Sequence, residues 1–168
     1  MKFNLTITLI FMSFFGVFQS KAQVNSKAFD LLLRNMIKKT IPTISVAELK
    51  PKVNKVMLLD ARETKEFEVS HLKNARNVGF DNFDIKQVSD LPKDAEIVVY
   101  CSIGVRSEKI GEKLKAAGFT NVKNLYGSIF EWVNQGNTVY DSNGKPTLKV
   151  HTYSKTWGMW LNKGEKVY

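Results

Sequence analysis

Apolar positions along the chain change period several times, and each change marks an element. Over residues 26–39, Phe29, Leu32, Leu33, Met36 and Ile37 fall at i, i+3, i+4, i+7 and i+8, one face of an amphipathic helix, with Ser26 as its N-cap. This helix either packs on the domain or serves as a spacer ahead of it. Ile41-Pro42 breaks it. Ser45-Val46-Ala47-Glu48 has the capping-box arrangement and predicts a short helix through Leu49. Val56-Met57-Leu58-Leu59-Asp60 is apolar until its final acid, the pattern of a strand covered on both faces of a parallel sheet. A short helix is expected over 64–69, with Phe67 and His71 or Leu72 turned inward. A short strand is expected over 75–78, a weak helical stretch over 81–88, and a turn at Leu91-Pro92-Lys93-Asp94.

Ile97-Val98-Val99-Tyr100, apolar and rich in β-branched residues, is the strongest strand signal, and Cys101 closes it. Residues 105–117 read as a helix with Ile110, Leu114 and Ala117 on one face. Gly118 is placed as its C′ residue and Phe119 as the apolar contact that accompanies such caps. A last strand is expected over 122–125 and a helix over 128–135, carrying Phe130, Trp132 and Val133 and ended by Gly136. The repeated strand–helix order with short connections predicts an α/β fold, a central mostly parallel sheet with helices on both faces. Residues 138–168 depart from that rhythm. Asn143-Gly144 is a hairpin-type turn signal, and Trp157 and Trp160 lie in a poorly periodic stretch. The segment is expected to wrap on the domain with its aromatic residues as packing anchors; a lid over a site is the sharper alternative.

The first 22 residues are of a different composition. Lys2 precedes an apolar run over 5–18, and Ser20-Lys21-Ala22 offers small residues where signal peptidase reads them. A signal peptide cleaved between Ala22 and Gln23 is expected, and with it export to a periplasmic or extracellular location. The run is shorter than a bilayer span requires, and no second candidate span occurs later in the chain. The net charge of +9, which cleavage lowers by the two lysines Lys2 and Lys21, comes from scattered side chains. Without an aromatic-interleaved basic stripe, this favours a basic surface tolerant of anionic small substrates over a nucleic-acid partner.

The chain has one cysteine, so no internal disulfide can form. Cys101-Ser102-Ile103-Gly104-Val105-Arg106-Ser107 joins the strongest strand to a helix, and ligand sites of parallel sheets form at the C-terminal ends of strands. Such a turn aims backbone N–H groups inward, and the helix N-terminus adds partial positive charge; both favour a thiolate and an anion. Gly104 permits the tight path, Arg106 supplies a fixed cation, and Ser107 can hydrogen-bond across the loop. A buried structural cysteine would leave Gly104, Arg106 and Ser107 together unexplained.

These residues resemble the rhodanese family. The loop from Cys101 to Ser107 resembles its Cys-x-x-Gly-x-Arg-Ser/Thr. Leu58-Leu59-Asp60-Ala61-Arg62 resembles its strand-ending Asp-x-Arg, and residues 66–78 its Glu-Phe-x-x-Gly-His-Ile-Pro-Gly-Ala-x-Asn-Ile, with Ser70 in place of Gly and Lys73-Asn74 in place of Pro-Gly. Gly118-Phe119, the strand over 122–125 and the run from Gly127 to Trp132 resemble its downstream motifs. The resemblance covers about 41–137, between an N-terminal helix segment over 23–40 and the extension over 138–168.

The resemblance implies a three-layer rhodanese-like fold and a sulfurtransferase. Cys101 would carry sulfane sulfur as a persulfide, and Arg106 would stabilise its charge. Ser102, Ile103, Gly104, Val105 and Ser107 would bind substrate, with Asp60 and Arg62 supporting the loop through an ion pair. The implied partners are a small anionic, thiosulfate-like donor and a thiol or cyanide acceptor, with neither metal nor organic cofactor. Rhodanese-like phosphatases and arsenate reductases carry a loop one residue longer than the four residues between Cys101 and Arg106. They and a non-catalytic envelope binding module are the alternatives. His71 is read as a structural turn residue, Trp132 as core, and His151 as no basis for a metal site.

Overall fold

The computed structural model describes residues 23–168; the expected signal segment lies outside the described residues. Five short strands, β1 (Thr43–Ile44), β2 (Met57–Asp60), β3 (Arg76–Asn77), β4 (Ile97–Tyr100) and β5 (Val122–Leu125), form one sheet in the order β1-β5-β4-β2-β3. Every pairing is parallel. β2 and β4 run in register from Met57 beside Ile97 to Asp60 beside Tyr100, so both strands end at one edge of the sheet. The chain leaves that edge at Ala61, whose N–H donates to the Tyr100 carbonyl at 2.8 Å.

Successive strand residues face opposite cores, as the two-residue period requires. Leu58, Val98, Tyr100 and Leu125 pack with α1 (Lys27–Met36), α2 (Val46–Leu49) and α5 (Ser128–Asn134). Leu59, Ile97, Val99 and Val122 pack with Ile110 and Leu114 of α4 (Val105–Ala116). Burying each such side chain stabilises the fold by roughly 1.5–3 kcal/mol. Because both faces are covered, β4 reads as an unbroken apolar run and β2 as one that ends only at Asp60.

Helix α1 starts at the Ser26 cap but ends earlier than its periodicity suggests. Ile37 is extended and buried, and the N–H groups of Lys38 and Thr40 both donate to the buried Glu108 carboxylate at 3.0 Å. These bonds draw the chain out of the helix. Ser45 and Glu48 form the expected capping box. The stretch 81–88 yields a single 3-10 turn, Ile85–Val88, capped by Asp84. In α3 (Thr64–Val69) the fully buried side chain is Glu66 rather than Phe67, which lies half-buried against the His71 ring. A carboxylate replaces the expected apolar residue there because a guanidinium waits opposite it.

The extension forms a hairpin of β6 (Val139–Tyr140) and β7 (Pro146–Thr147), with Gly144 at φ +71° in its turn. Next, β8 (Lys149–His151) pairs in parallel with β9 (Glu165–Val167), and α6 (Lys155–Gly158) lies between them. Trp160 stacks on Phe29 at 5.6 Å, the packing role expected of it, and Trp132 is core, 6% exposed. Among the described residues no helix is long and apolar enough to cross a membrane.

Candidate active site

Cys101 comes directly after β4, and the chain needs only a few residues to enter α4. Gly104 caps that helix at φ +122°, a conformation side chains rarely adopt, and an added Cβ would lie 2.7 Å from Ile37 Cδ1. The turn aims the Gly104 N–H at Cys101 Sγ, 3.1 Å away. Neighbouring elements fix the rest of the loop. Asn124 of β5 donates to the Gly104 carbonyl at 2.8 Å and accepts the Ser107 hydroxyl at 2.7 Å. Ser128 Oγ accepts the Cys101 N–H at 3.1 Å, while the N–H groups of Ile129 and Phe130 donate to the carbonyls of Cys101 and Ser102 at 3.2 Å. The start of α5 thus anchors the loop backbone, and the Gly104 N–H remains for the sulfur.

Cys101 is 2% exposed and packs against the α4-side core, yet it lines a cavity of about 310 Å³. Burial pushes its thiol up. Against that act the Arg106 charge, the hydroxyl and N–H of Ser107 and the Gly104 N–H, and they hold it below its ordinary value. Ser107 has one hydroxyl proton; Asn124 takes it at 2.7 Å, and Sγ at 3.5 Å is its weaker second acceptor.

Arg106 pairs with Glu66 through Nη1–Oε2 at 2.7 Å and Nη2–Oε1 at 2.8 Å, and its Nη2 also donates to Ser102 Oγ at 3.0 Å. Burial pushes Glu66 up, but its bonds to Arg106 and the charges of Arg106 and Arg62 outweigh this and lower it. Arg106 in turn is raised, burial being outweighed by Glu66 and by the Cys101 sulfur.

Asp60 and Arg62 form a wholly buried ion pair. Arg62 also donates to the Ser70 carbonyl at 2.6 Å, and Asn77 donates to the carbonyls of Asp60 and Arg62. These bonds secure the turns after β2 rather than the Cys101 loop; the ion pair that reaches the loop is Glu66–Arg106. Of the expected substrate-binding residues, Ser102, Ile103 and Val105 line the cavity with Cys101 and Arg106. Gly104 lies behind the sulfur as its donor, with the Ser107 hydroxyl 3.5 Å from it.

The extension reaches this cavity. Tyr153 and Trp157 line it together with Met36 of α1. Tyr153 sits at φ +65° in the centre of a three-residue turn closed by Ser154 N–H to the Thr152 carbonyl at 2.7 Å, a strained form for a residue with a side chain. Its N–H donates to His151 Nδ1 at 3.0 Å, and the Arg106 guanidinium lies 5.4 Å from its ring centre. His71 stacks on Phe67 and faces the Phe67 carbonyl through Nδ1 at 3.0 Å. Among the described residues no cluster of three or more His, Cys, Asp or Glu is placed to hold a metal.

Sequence reading assigned no role to Glu66, Asn124, Ser128 or Tyr153. An acid on the buried face of a short helix was the available signal for Glu66, and a polar residue inside a predicted strand for Asn124. Tyr153 carries no such signal, because its place depends on how the extension folds back.

Residues 45–135 match the Rhodanese-like domain family. The chain is 39% identical over 82 residues to a tRNA uridine(34) hydroxylase of Aster yellows witches'-broom phytoplasma (strain AYWB), spanning 46% of this chain and 27% of that protein. It therefore spans about a quarter of the length of such relatives. It is 30% identical to the uncharacterized protein YqhL of Bacillus subtilis (strain 168), over 54% of this chain and 71% of that one. Among solved structures, a rhodanese-related protein from Thermoplasma volcanium superposes with TM-score 0.54 at 27% identity, covering 59% of this chain and 97% of that one. A thiosulfate sulfurtransferase from Pseudomonas aeruginosa superposes with TM-score 0.56 at 19% identity, covering 73% and 24%, a likeness of fold.

Proposed function

The chain belongs to the rhodanese-like domain family, and on that footing we propose that it is an exported sulfurtransferase carrying sulfane sulfur on Cys101. The observation that supports this most is the Cys101 sulfur itself, facing the Gly104 N–H at 3.1 Å, charge-stabilised by Arg106 and lining a cavity of about 310 Å³. The Cys101 thiolate attacks the outer sulfur of a donor such as thiosulfate. The donor's S–S bond breaks, sulfite leaves with the bonding pair, and Cys101 keeps the sulfur as a persulfide. Donors already aimed at Sγ stabilise the negative charge in both states without rearrangement. An acceptor, a thiol or cyanide, then removes the sulfur and regenerates the thiolate.

The test is thiocyanate formation from thiosulfate and cyanide. Saturable turnover that Cys101→Ser abolishes supports the reading, and turnover unaffected by that substitution refutes it. A second reading comes from the relatives named for tRNA uridine(34) hydroxylation, which match this chain over the family domain. Hydroxylated uridine in tRNA incubated with the protein, without thiocyanate formation, would favour it.

A further inference from the structure

Resting on the persulfide reading, we propose that this site delivers its sulfur to an organic thiol with an apolar body and no anionic group besides the sulfur that reacts. The cavity at Cys101 is walled by Met36, Phe80, Ile103, Val105, Tyr153 and Trp157. Its charged lining groups are Arg106, Glu63 and Asp81. Arg106 is already met by Glu66, fork to fork, and the charge it offers acts on the Cys101 sulfur. Glu63 is turned toward the 80–81 turn, where its Oε1 accepts the N–H groups of Phe80 and Asp81 at 3.3 and 3.4 Å. Asp81 is exposed beside it. An anionic group on the acceptor therefore meets two carboxylates and the charge of the persulfide, while Arg106 is engaged by Glu66 and the sulfur. A thiol bearing a ring or alkyl body meets three aromatic side chains, Phe80, Tyr153 and Trp157.

Two of those aromatic walls, Tyr153 and Trp157, come from the extension, outside the family-matched residues 45–135. They are placed at structural cost. Tyr153 takes its positive φ and is pinned by His151 Nδ1, and α6 is capped by Ser154 so that Trp157 faces inward. An observed strained residue at a cavity mouth points to function there. In the transfer itself the acceptor thiolate attacks the outer sulfur of the Cys101 persulfide. The new S–S bond forms on the acceptor as the Cys101 S–S bond breaks. The electron pair returns to Cys101 Sγ, and any proton on the outer sulfur stays with the new persulfide.

The protein is loaded with thiosulfate, freed of donor and checked by intact mass. It is then discharged in single turnovers by benzyl mercaptan or by mercaptoethanesulfonate. Each rate is divided by the same thiol's rate with a small persulfide in solution. The expected ratio favours benzyl mercaptan by about tenfold. Tyr153→Ala, at an exposed position, is expected to lower that ratio severalfold, Trp157→Ala to do the same, and Tyr153→Phe to preserve it. A ratio near one in the native protein, or one that neither alanine variant changes, overturns the proposal while leaving the persulfide reading intact. Failure to gain a sulfur atom on loading refutes that reading, and the proposal with it.

Discussion

Arg106, on the wall of the cavity that Cys101 faces, meets Glu66 fork to fork at 2.7 and 2.8 Å. Glu66 is fully buried, and the pair holds the guanidinium where it lowers the Cys101 thiol. Arg106→Ala should therefore raise the thiol. In the native protein alkylation by iodoacetamide is expected to persist at pH values below the ordinary thiol range. In the variant the profile should shift upward, with the rate at neutral pH falling by about tenfold. An unchanged profile would show that Arg106 does not act on the sulfur.

Ser107→Ala removes the hydroxyl 3.5 Å from Sγ and leaves Asn124 Oδ1 buried without its 2.7 Å partner. An unsatisfied buried acceptor costs roughly 1–3 kcal/mol. Urea unfolding should register that loss, and the alkylation profile of the folded variant should move up as well. Loss of stability alone would confine Ser107 to a packing role.

The Asp60–Arg62 pair has no exposure on either side. Arg62→Ala leaves a carboxylate uncompensated in the interior and should cost about 3–5 kcal/mol in urea unfolding. Replacing both residues with apolar ones of similar volume should cost less, because no charge is then stranded. Equal losses would contradict this reading of the pair.

His151 accepts the Tyr153 N–H through Nδ1. Burial lowers it from its ordinary 6.5; Glu66 opposes the shift, and Lys65, Arg62 and Arg106 reinforce it. The unfolded chain thus binds this proton more readily than the folded one. The contribution of neutral His151 to stability is complete above 6.5 and is lost as pH falls toward the lower folded value. Protonation also turns Nδ1 into a donor and breaks its bond to Tyr153. Between about pH 8 and about pH 5 the native protein should lose more stability than His151→Gln, which cannot charge. Parallel loss in both proteins would refute this assignment.

The segment before Gln23 predicts cleavage on export. N-terminal sequencing of protein recovered from outside the cytoplasm of an expressing cell should begin at Gln23. An intact Met1 on recovered protein would contradict the expectation.

The sheet was legible in the sequence because β2 and β4 are apolar on both faces, and a strand buried on both sides cannot hide its composition. The loop was legible because Cys101, Gly104, Arg106 and Ser107 are local to one turn. What escaped depends on distance along the chain. Glu66 approaches Arg106 across 40 residues, and Asn124 approaches Ser107 across 17. Tyr153 reaches the cavity only because β8 and β9 pair across a stretch with little periodicity. The early end of α1 belongs with these, since Glu108, 70 residues away, accepts the Lys38 N–H.

The most direct measurement is the mass of the Cys101 peptide after brief exposure of the folded protein to thiosulfate, digested without reductant. A persulfide on Cys101, removed by cyanide and absent from Arg106→Ala at neutral pH, is the expected result. An unmodified Cys101 peptide from folded protein, at any donor concentration, would contradict a sulfur-carrying site.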